Sequence, residues 1–405
     1  MRANMKTSTW IDAENAHCAQ NYYPLPVVLT KGKGVWLWDI EGKRYLDMMS
    51  AYSAVSLGHS HPRLLQVLTE QAHKLCVVSR AFHTDTMRPF LEKLCQISGL
   101  DMALPMNTGV EAVETAIKAA RRWGVEKKGI PDGQVEIIVA KNNFHGRTLT
   151  VISFSSDESY KTHFGPFTPG FVEIPFGDEI ALKKAITTNT CAFLVEPIQG
   201  EAGIQIPPQG WLKRCAKICQ ENNVLLILDE IQSGLGRTGK LFAFEHEEIM
   251  PDGLILGKAL GGGILPVSAF LAKKEIMSVF TPGSHGSTFG GNPLATRVAL
   301  EAISLIQEGD LLERTQMLGE ELLQGLRAIK SPLIREVRGK GLWVGVEINT
   351  QKISARKVCE KMMELGVLSK EAHDSVIRFA PPLIIERENL HWAIEQFTKA
   401  IQFLS

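Results

Sequence analysis

No excess of either charge marks this 405-residue chain: lysine plus arginine, and aspartate plus glutamate, each number 44. A balanced chain sets up no global field toward nucleic acid or an anionic membrane surface, so an anionic ligand has to be captured by local groups. No CxxC pair occurs among the seven cysteines, Cys18, Cys76, Cys95, Cys191, Cys215, Cys219 and Cys359. Cys215 and Cys219 share a helix face, but without a second pair they make no zinc framework. Reduced thiols packed as small hydrophobic groups are the expectation. No apolar signal core opens the chain, where Asp12 and Glu14 already intervene, and Met1 and Met5 are both candidate starts. The longest uncharged run near the middle, 259–272, is too short for a bilayer and holds three glycines and a proline. A cytoplasmic protein with neither membrane nor nucleic-acid partners is expected.

What is present is an alternation of strand and helix patterns. Apolar runs at 135–140, 192–197, 224–230, 253–258 and 267–272 read as buried strands, with helices over 107–123 (Gly124 as its stop) and 211–223. Continuous apolar strands alternating with helices predict an α/β fold with a mostly parallel sheet covered on both faces. Ligands of such sheets bind beyond the carboxyl ends of the strands. After Gly291-Asn292-Pro293 two amphipathic helices are followed by short strands and helices, the pattern of a small α+β domain. Near the start, GVWLWDIEGKRYLDM reads as a hairpin turning at Asp39–Gly42. The division expected is an N-terminal segment 1–51, a large domain 52–310 and a small domain 311–405.

Two strand ends carry the strongest chemical signal. Asp229-Glu230 closes one apolar run and Lys258 closes another. Burying an ammonium is costly, which leaves two explanations: a structural ion pair, or an amine kept for covalent chemistry with a carbonyl. Asn107-Thr108-Gly109 precedes a helix; Thr108 and Glu111 fit a capping box, while the N–H groups of Gly109 and Val110 fit a phosphate site. Those two roles compete for donors. His59 and His61 lack a third metal ligand and read as helix-start residues before Pro62. Gly234–Lys240 fits the GxxxxGK of a nucleotide-binding loop, but Leu241 stands where magnesium requires Ser or Thr.

Seven blocks carry a resemblance: SAYSAVSLGHSHP (50–62), PMNTGVEA (105–112), NFHGRT (143–148), VEPIQGEAGI (195–204), LLILDEIQSGLGRTG (225–239), LGKALGGG (256–263) and HGSTFGGNPLA (285–295). Together they resemble the class-III aminotransferases, pyridoxal-5′-phosphate (PLP) enzymes of fold type I, and within that family its ornithine-specific branch. The resemblance covers nearly the whole chain. It implies a large domain with a mostly parallel central sheet, a small α+β C-terminal domain, and a homodimer with shared active sites acting on an amino acid and a 2-oxo acid. It also implies that Lys258 bonds the aldehyde of PLP and then shuttles a proton, and that Asp229 pairs with the protonated ring nitrogen. Such a contact at ~4 Å and an effective dielectric of ~20 contributes about 4 kcal/mol, roughly three pKa units. Gly109 and Val110 would bind the phosphate, as would Thr288 from the partner subunit; Phe144 would stack on the ring and Gln232 contact its hydroxyl.

For substrates the resemblance implies a switchable pair. Ornithine reacts at its terminal amine and presents no carboxylate there, whereas 2-oxoglutarate does. An arginine placed for the second substrate would be an unpaired buried charge with the first. Arg378 and Glu201 would solve this, Glu201 pairing with Arg378 while ornithine is bound and releasing it for the dicarboxylate. Arg147 and Tyr22 would hold the α-carboxylate of ornithine, Tyr52 would line the pocket near its α-amine, and Glu196 matches an active-site acid. Acetylornithine, 4-aminobutyrate and lysine aminotransferases and glutamate-1-semialdehyde aminomutase share the lysine and aspartate; Tyr22 and Tyr52 favour ornithine. The family commonly has Phe-Trp where this chain has Phe144-His145.

Overall fold

In the computed structural model, which describes residues 6–405, a seven-stranded sheet organises the larger part of the chain. Met1 and Met5 lie outside the described residues. The strand order is Met102–Met106, Ser268–Ala272, Gly253–Leu256, Leu225–Asp229, Thr190–Val195, Glu136–Ala140 and Phe171–Ile174. Pairings from Gly253–Leu256 onward are parallel, and Ser268–Ala272 runs antiparallel to both its neighbours. All the other strands therefore point one way, and their carboxyl ends form one edge.

Alternate residues of these strands enter two different cores. Ile138, Phe193, Leu226 and Leu254 pack with Trp211, Cys215 and Cys219 on one face. Ile137, Ala192, Leu225 and Ile255 pack with Val113, Ile117 and Ala120 of the helix Gly109–Glu126 on the other. With both faces covered, no polar alternation is needed, which is why these strands read as unbroken apolar runs. The two strands that went unread, Met102–Met106 and Phe171–Ile174, are the sheet's edges. Pro105 is tolerated on such an edge, and most of the residues there are exposed or only partly buried.

Gly124 does not stop its helix. The helix runs on to Glu126, and a Cβ at Gly124 would sit 2.9 Å from the Cys191 Cβ, so glycine serves close packing of helix on strand. All seven cysteines are free; Cys191, Cys215, Cys219 and Cys359 are buried as expected, but Cys18 and Cys76 are exposed.

The C-terminal region forms an antiparallel sheet ordered Ile334–Gly339, Val344–Ile348, Val376–Phe379, Lys370–Ala372. Helices Leu311–Arg327, Ala355–Glu364 and Arg387–Leu404 pack on it through Leu322, Met362 and Phe397. The N-terminal hairpin Trp36–Asp39/Arg44–Asp47 joins this region: Val367–Leu368 pairs in parallel with Leu46–Asp47, and Val35, Leu46 and Met48 enter the C-terminal core. First and last parts of the chain thus share a sheet and a core. No helix among the described residues is long and apolar enough to cross a membrane.

Candidate active site

The sheet's carboxyl edge delivers the polar residues of the site to one cavity. Asp229 ends Leu225–Asp229; Glu196 follows Thr190–Val195; Phe144 and His145 follow Glu136–Ala140; Gly109 and Val110 begin the helix after Met102–Met106. With Ile198, Ile231, Gln232, Ser233 and Lys258 they line a cavity of about 190 Å³. Lys258 is not the last residue of its strand. That strand ends at Leu256, and Lys258 opens a tight turn with φ 44°, a left-handed conformation uncommon outside glycine.

Electrostatics single out Lys258. Burial lowers its pKa, and the nearby charges of Glu201, Asp229 and Glu196 only partly oppose this. An amine so placed is a nucleophile and proton carrier closer to neutral pH than a surface lysine. Asp229 is fixed on both sides: Oδ1 accepts the Ile231 N–H at 3.0 Å, and Oδ2 lies 2.7 Å from Nδ1 of His145. Burial alone would lower the His145 pKa; the hydrogen bond and charge of Asp229, with Glu196, outweigh it and raise it. No local sequence pattern signals this role for His145. Glu196 accepts the Phe144 N–H at 3.0 Å, and burial, with Asp229 adding to it, pushes its pKa up to about 8.

Capping and phosphate binding do not compete at the helix start. The Glu111 carboxylate takes the N–H groups of Asn107 (3.1 Å) and Thr108 (2.6 Å). Gly109 and Val110 lie in the first turn, where a helix offers their N–H groups no acceptor. A Cβ at Gly109 would lie 2.9 Å from Ile231, so the backbone itself forms the wall.

Beyond the cavity Arg378, only 4% exposed, donates from Nη1 to Glu201 at 2.8 Å, and its guanidinium sits 4.6 Å from the Tyr52 ring centre. Burial would raise the Glu201 pKa, but Arg378, Lys258 and Gln232 hold it below the ordinary carboxylate range. Gln232 also donates to the Tyr52 carbonyl at 3.3 Å. Tyr52 belongs to a turn in which Ser50, Ala51, Tyr52 and Ser53 have φ of 43°, 47°, 59° and 73°. A left-handed conformation costs non-glycine residues roughly 1–2 kcal/mol each.

Arg147 stacks 3.5 Å over Tyr160 and 5.4 Å from Phe144. Tyr22 is 75% exposed and lies in a groove with Tyr23 and Arg356, outside the lining of the cavity. Thr288 is exposed, in a loop outside this chain's cavity, although its neighbour Ser287 accepts from Asn107 at 3.0 Å.

Other sequence features are structural. Glu230 accepts the N–H groups of Ala243 and Phe244 at 2.7 and 2.9 Å. In the 234–240 stretch Gly236 and Gly239 spend their N–H groups on Leu241 and Gly236 carbonyls, which leaves no phosphate cradle. His59 pairs with Asp47 at 2.7 Å, His61 precedes the helix at Pro62, and no metal-binding group occurs among the described residues.

A family model described as Aminotransferase class-III matches residues 17–401. This chain is a class-III aminotransferase. It is 58% identical to the ornithine aminotransferase of Geobacillus sp. strain WCH70, covering 97% of this chain and 98% of the relative. A Toxoplasma gondii ornithine aminotransferase, crystallized with PLP at partial occupancy, superposes with a TM-score of 0.97 at 43% identity, covering 98% of this chain and 95% of that one. An acetylornithine aminotransferase from Elizabethkingia anophelis matches with a TM-score of 0.91 at 48% identity, covering 99% and 100%.

PLP is the cofactor of this aminotransferase, and the residues present fit it: an amine of lowered pKa, a fixed carboxylate, and free N–H groups share one cavity. His145 Nε2 is buried without a partner, a polar atom left for a neighbour to satisfy.

Glu196 gives a pH test. Because its pKa is raised from 4.5 to about 8, the folded state holds a proton that the unfolded state releases, and the stability present at low pH is lost as pH rises through that window. Glu196→Gln is expected to flatten the fall of melting temperature between those pH values; an unchanged slope shows that Glu196 is charged throughout.

Proposed function

We propose that this aminotransferase moves the δ-amino group of L-ornithine to 2-oxoglutarate, giving L-glutamate 5-semialdehyde and L-glutamate. The observation that carries this reading is the buried Arg378 closed on Glu201 beneath Tyr52. A terminal amine brings no carboxylate to the reacting carbon, so an unpaired guanidinium there would be strongly unfavourable. Glu201, held charged, neutralises it. 2-Oxoglutarate supplies its own carboxylate, and Glu201 then gives way to it.

When bound, PLP supplies an aldehyde carbon and a cationic ring that withdraws electrons from the substrate carbon. Lys258 would hold that aldehyde through its Nζ, and the same amine, once the substrate amine had taken its place, would carry the proton of the carbon bearing the reacting amine. Asp229 would hold the positive charge on the ring nitrogen, and His145 fixes Asp229 in position. Gly109 and Val110 would hold the phosphate, joined by Thr288 of the second subunit in a homodimer. Phe144 would cover the ring and Gln232 would meet its hydroxyl. At the far end Arg147 and Tyr22 would hold the α-carboxylate of ornithine, with Tyr52 beside its α-amine. A cytoplasmic setting belongs to the same reading.

Similarity to the Elizabethkingia protein favours acetylornithine as a second donor to test. Mixed with the holoenzyme alone, ornithine is expected to convert the bound cofactor spectrum and release an aldehyde that cyclises to a pyrroline. Faster conversion by acetylornithine or 4-aminobutyrate overturns the assignment. Lys258→Ala should lose both turnover and the visible band of the bound cofactor; retention of both contradicts its role. Glu201→Ala should slow the ornithine half-reaction more than the glutamate half-reaction, by about tenfold for each ~1.4 kcal/mol of lost neutralisation. Equal losses would make Glu201 a support for the fold.

A further inference from the structure

Arg237 is fully buried, yet no carboxylate bonds it. Its Nη1 donates to the carbonyls of Leu342 (2.9 Å) and Pro381 (2.7 Å), and its Nη2 to the hydroxyls of Ser50 (3.3 Å) and Ser56 (3.0 Å). Its Nε has no partner. Burial lowers the pKa of this guanidinium to about 9, against the opposing charge of Asp47. A buried cation satisfied by neutral acceptors is a costly choice for stability alone, where an apolar side chain of similar volume would serve.

Its acceptors explain the choice. Ser50 begins the left-handed turn that carries Tyr52, and Ser56 follows that turn. Pro381 lies three residues beyond Arg378. Ser50 Oγ in turn donates to the Ala380 carbonyl at 2.6 Å, and Asp47 Oδ1 accepts the N–H groups of Met49 and Ser50 at 2.9 and 2.8 Å. One guanidinium therefore ties together the backbones that carry Tyr52 and Arg378, which face each other at 4.6 Å. The turn is made of four non-glycine residues, so something outside it must hold its conformation.

We propose that Arg237 is a positioning residue which, through Ser50 and Ser56 on one side and Pro381 on the other, holds the strained 50–53 turn and so sets the Tyr52–Arg378 wall of the substrate site. It stands outside the lining of the 190 Å³ cavity. The proposal rests on the reading of Tyr52 and Arg378 as substrate-binding groups. It makes a specific kinetic demand: loosening this wall removes binding common to ground and transition states, so KM rises while kcat holds.

Arg237→Met and the milder Ser50→Ala, which removes the hydroxyl bridging Arg237 and Ala380, test this in the holoenzyme. Each half-reaction is followed separately from the cofactor spectrum. The expected result for Ser50→Ala is a KM for both ornithine and glutamate raised about tenfold, with kcat changed less than about threefold and cofactor release unchanged. Arg237→Met should show the same split, larger, if it folds. A fall in kcat with KM unchanged in Ser50→Ala, or faster cofactor loss at unchanged KM, overturns the proposal. The glutamate half-reaction keeps the two claims apart: a wild-type enzyme that uses glutamate but ignores ornithine refutes the donor assignment, while the split in KM for glutamate still decides the role of Arg237.

Discussion

Lysine amines ordinarily reach open water, and the site is organised around one that is half-buried in a cavity among acids. Lys258 sits among Asp229, Glu196 and Glu201, with Arg378 close enough for its charge to be felt. Each of those acids is separately engaged: Asp229 by His145 and the Ile231 N–H, Glu196 by the Phe144 N–H, Glu201 by Arg378. Among the described residues no salt bridge joins any of them to the amine, and burial lowers its proton affinity. Holding the acids apart from the amine is a task for the scaffold, and a sheet with one shared carboxyl edge does it.

The second constraint is conformational. Lys258 and the four residues Ser50–Ser53 all adopt left-handed backbone, at the two places where the chain turns toward the site. Strain of this kind persists only where surrounding contacts over-determine it. Around 50–53 those contacts come from Asp47 three residues earlier and from Arg237 and the Ala380 carbonyl, two distant parts of the sequence. The shared sheet and core of the N-terminal and C-terminal regions keep these parts together.

Some of this was legible in the sequence and some was not. Asp229 and Lys258 stood out because polar residues at the ends of apolar runs violate the burial rule, and their meeting at one cavity follows from a shared sheet edge. The parallel core was readable because both of its faces are covered. Its edge strands were not, since partial burial and Pro105 erase the apolar signal. His145 was visible only as a departure from Phe-Trp; its bond to Asp229 spans 84 positions, which no local pattern encodes. Ser-Ala-Tyr-Ser contains no glycine or asparagine to announce a left-handed turn, so the strain at 50–53 could be found only in three dimensions. Gly124 misled for the complementary reason: a glycine that serves close packing looks, in one dimension, like one that ends a helix. Thr288 is left exposed by its own fold, so a role for it at the site is proposed only through a second copy of the chain.

The central claim is that the amine of Lys258 bonds the cofactor at the sheet's carboxyl edge, next to Asp229. Borohydride reduction of the holoenzyme, followed by peptide mass mapping, tests it directly by fixing the cofactor to whichever amine holds it. The account predicts the pyridoxyl mass on the peptide containing Lys258. Label on any other lysine, with Lys258 recovered unmodified, would contradict it.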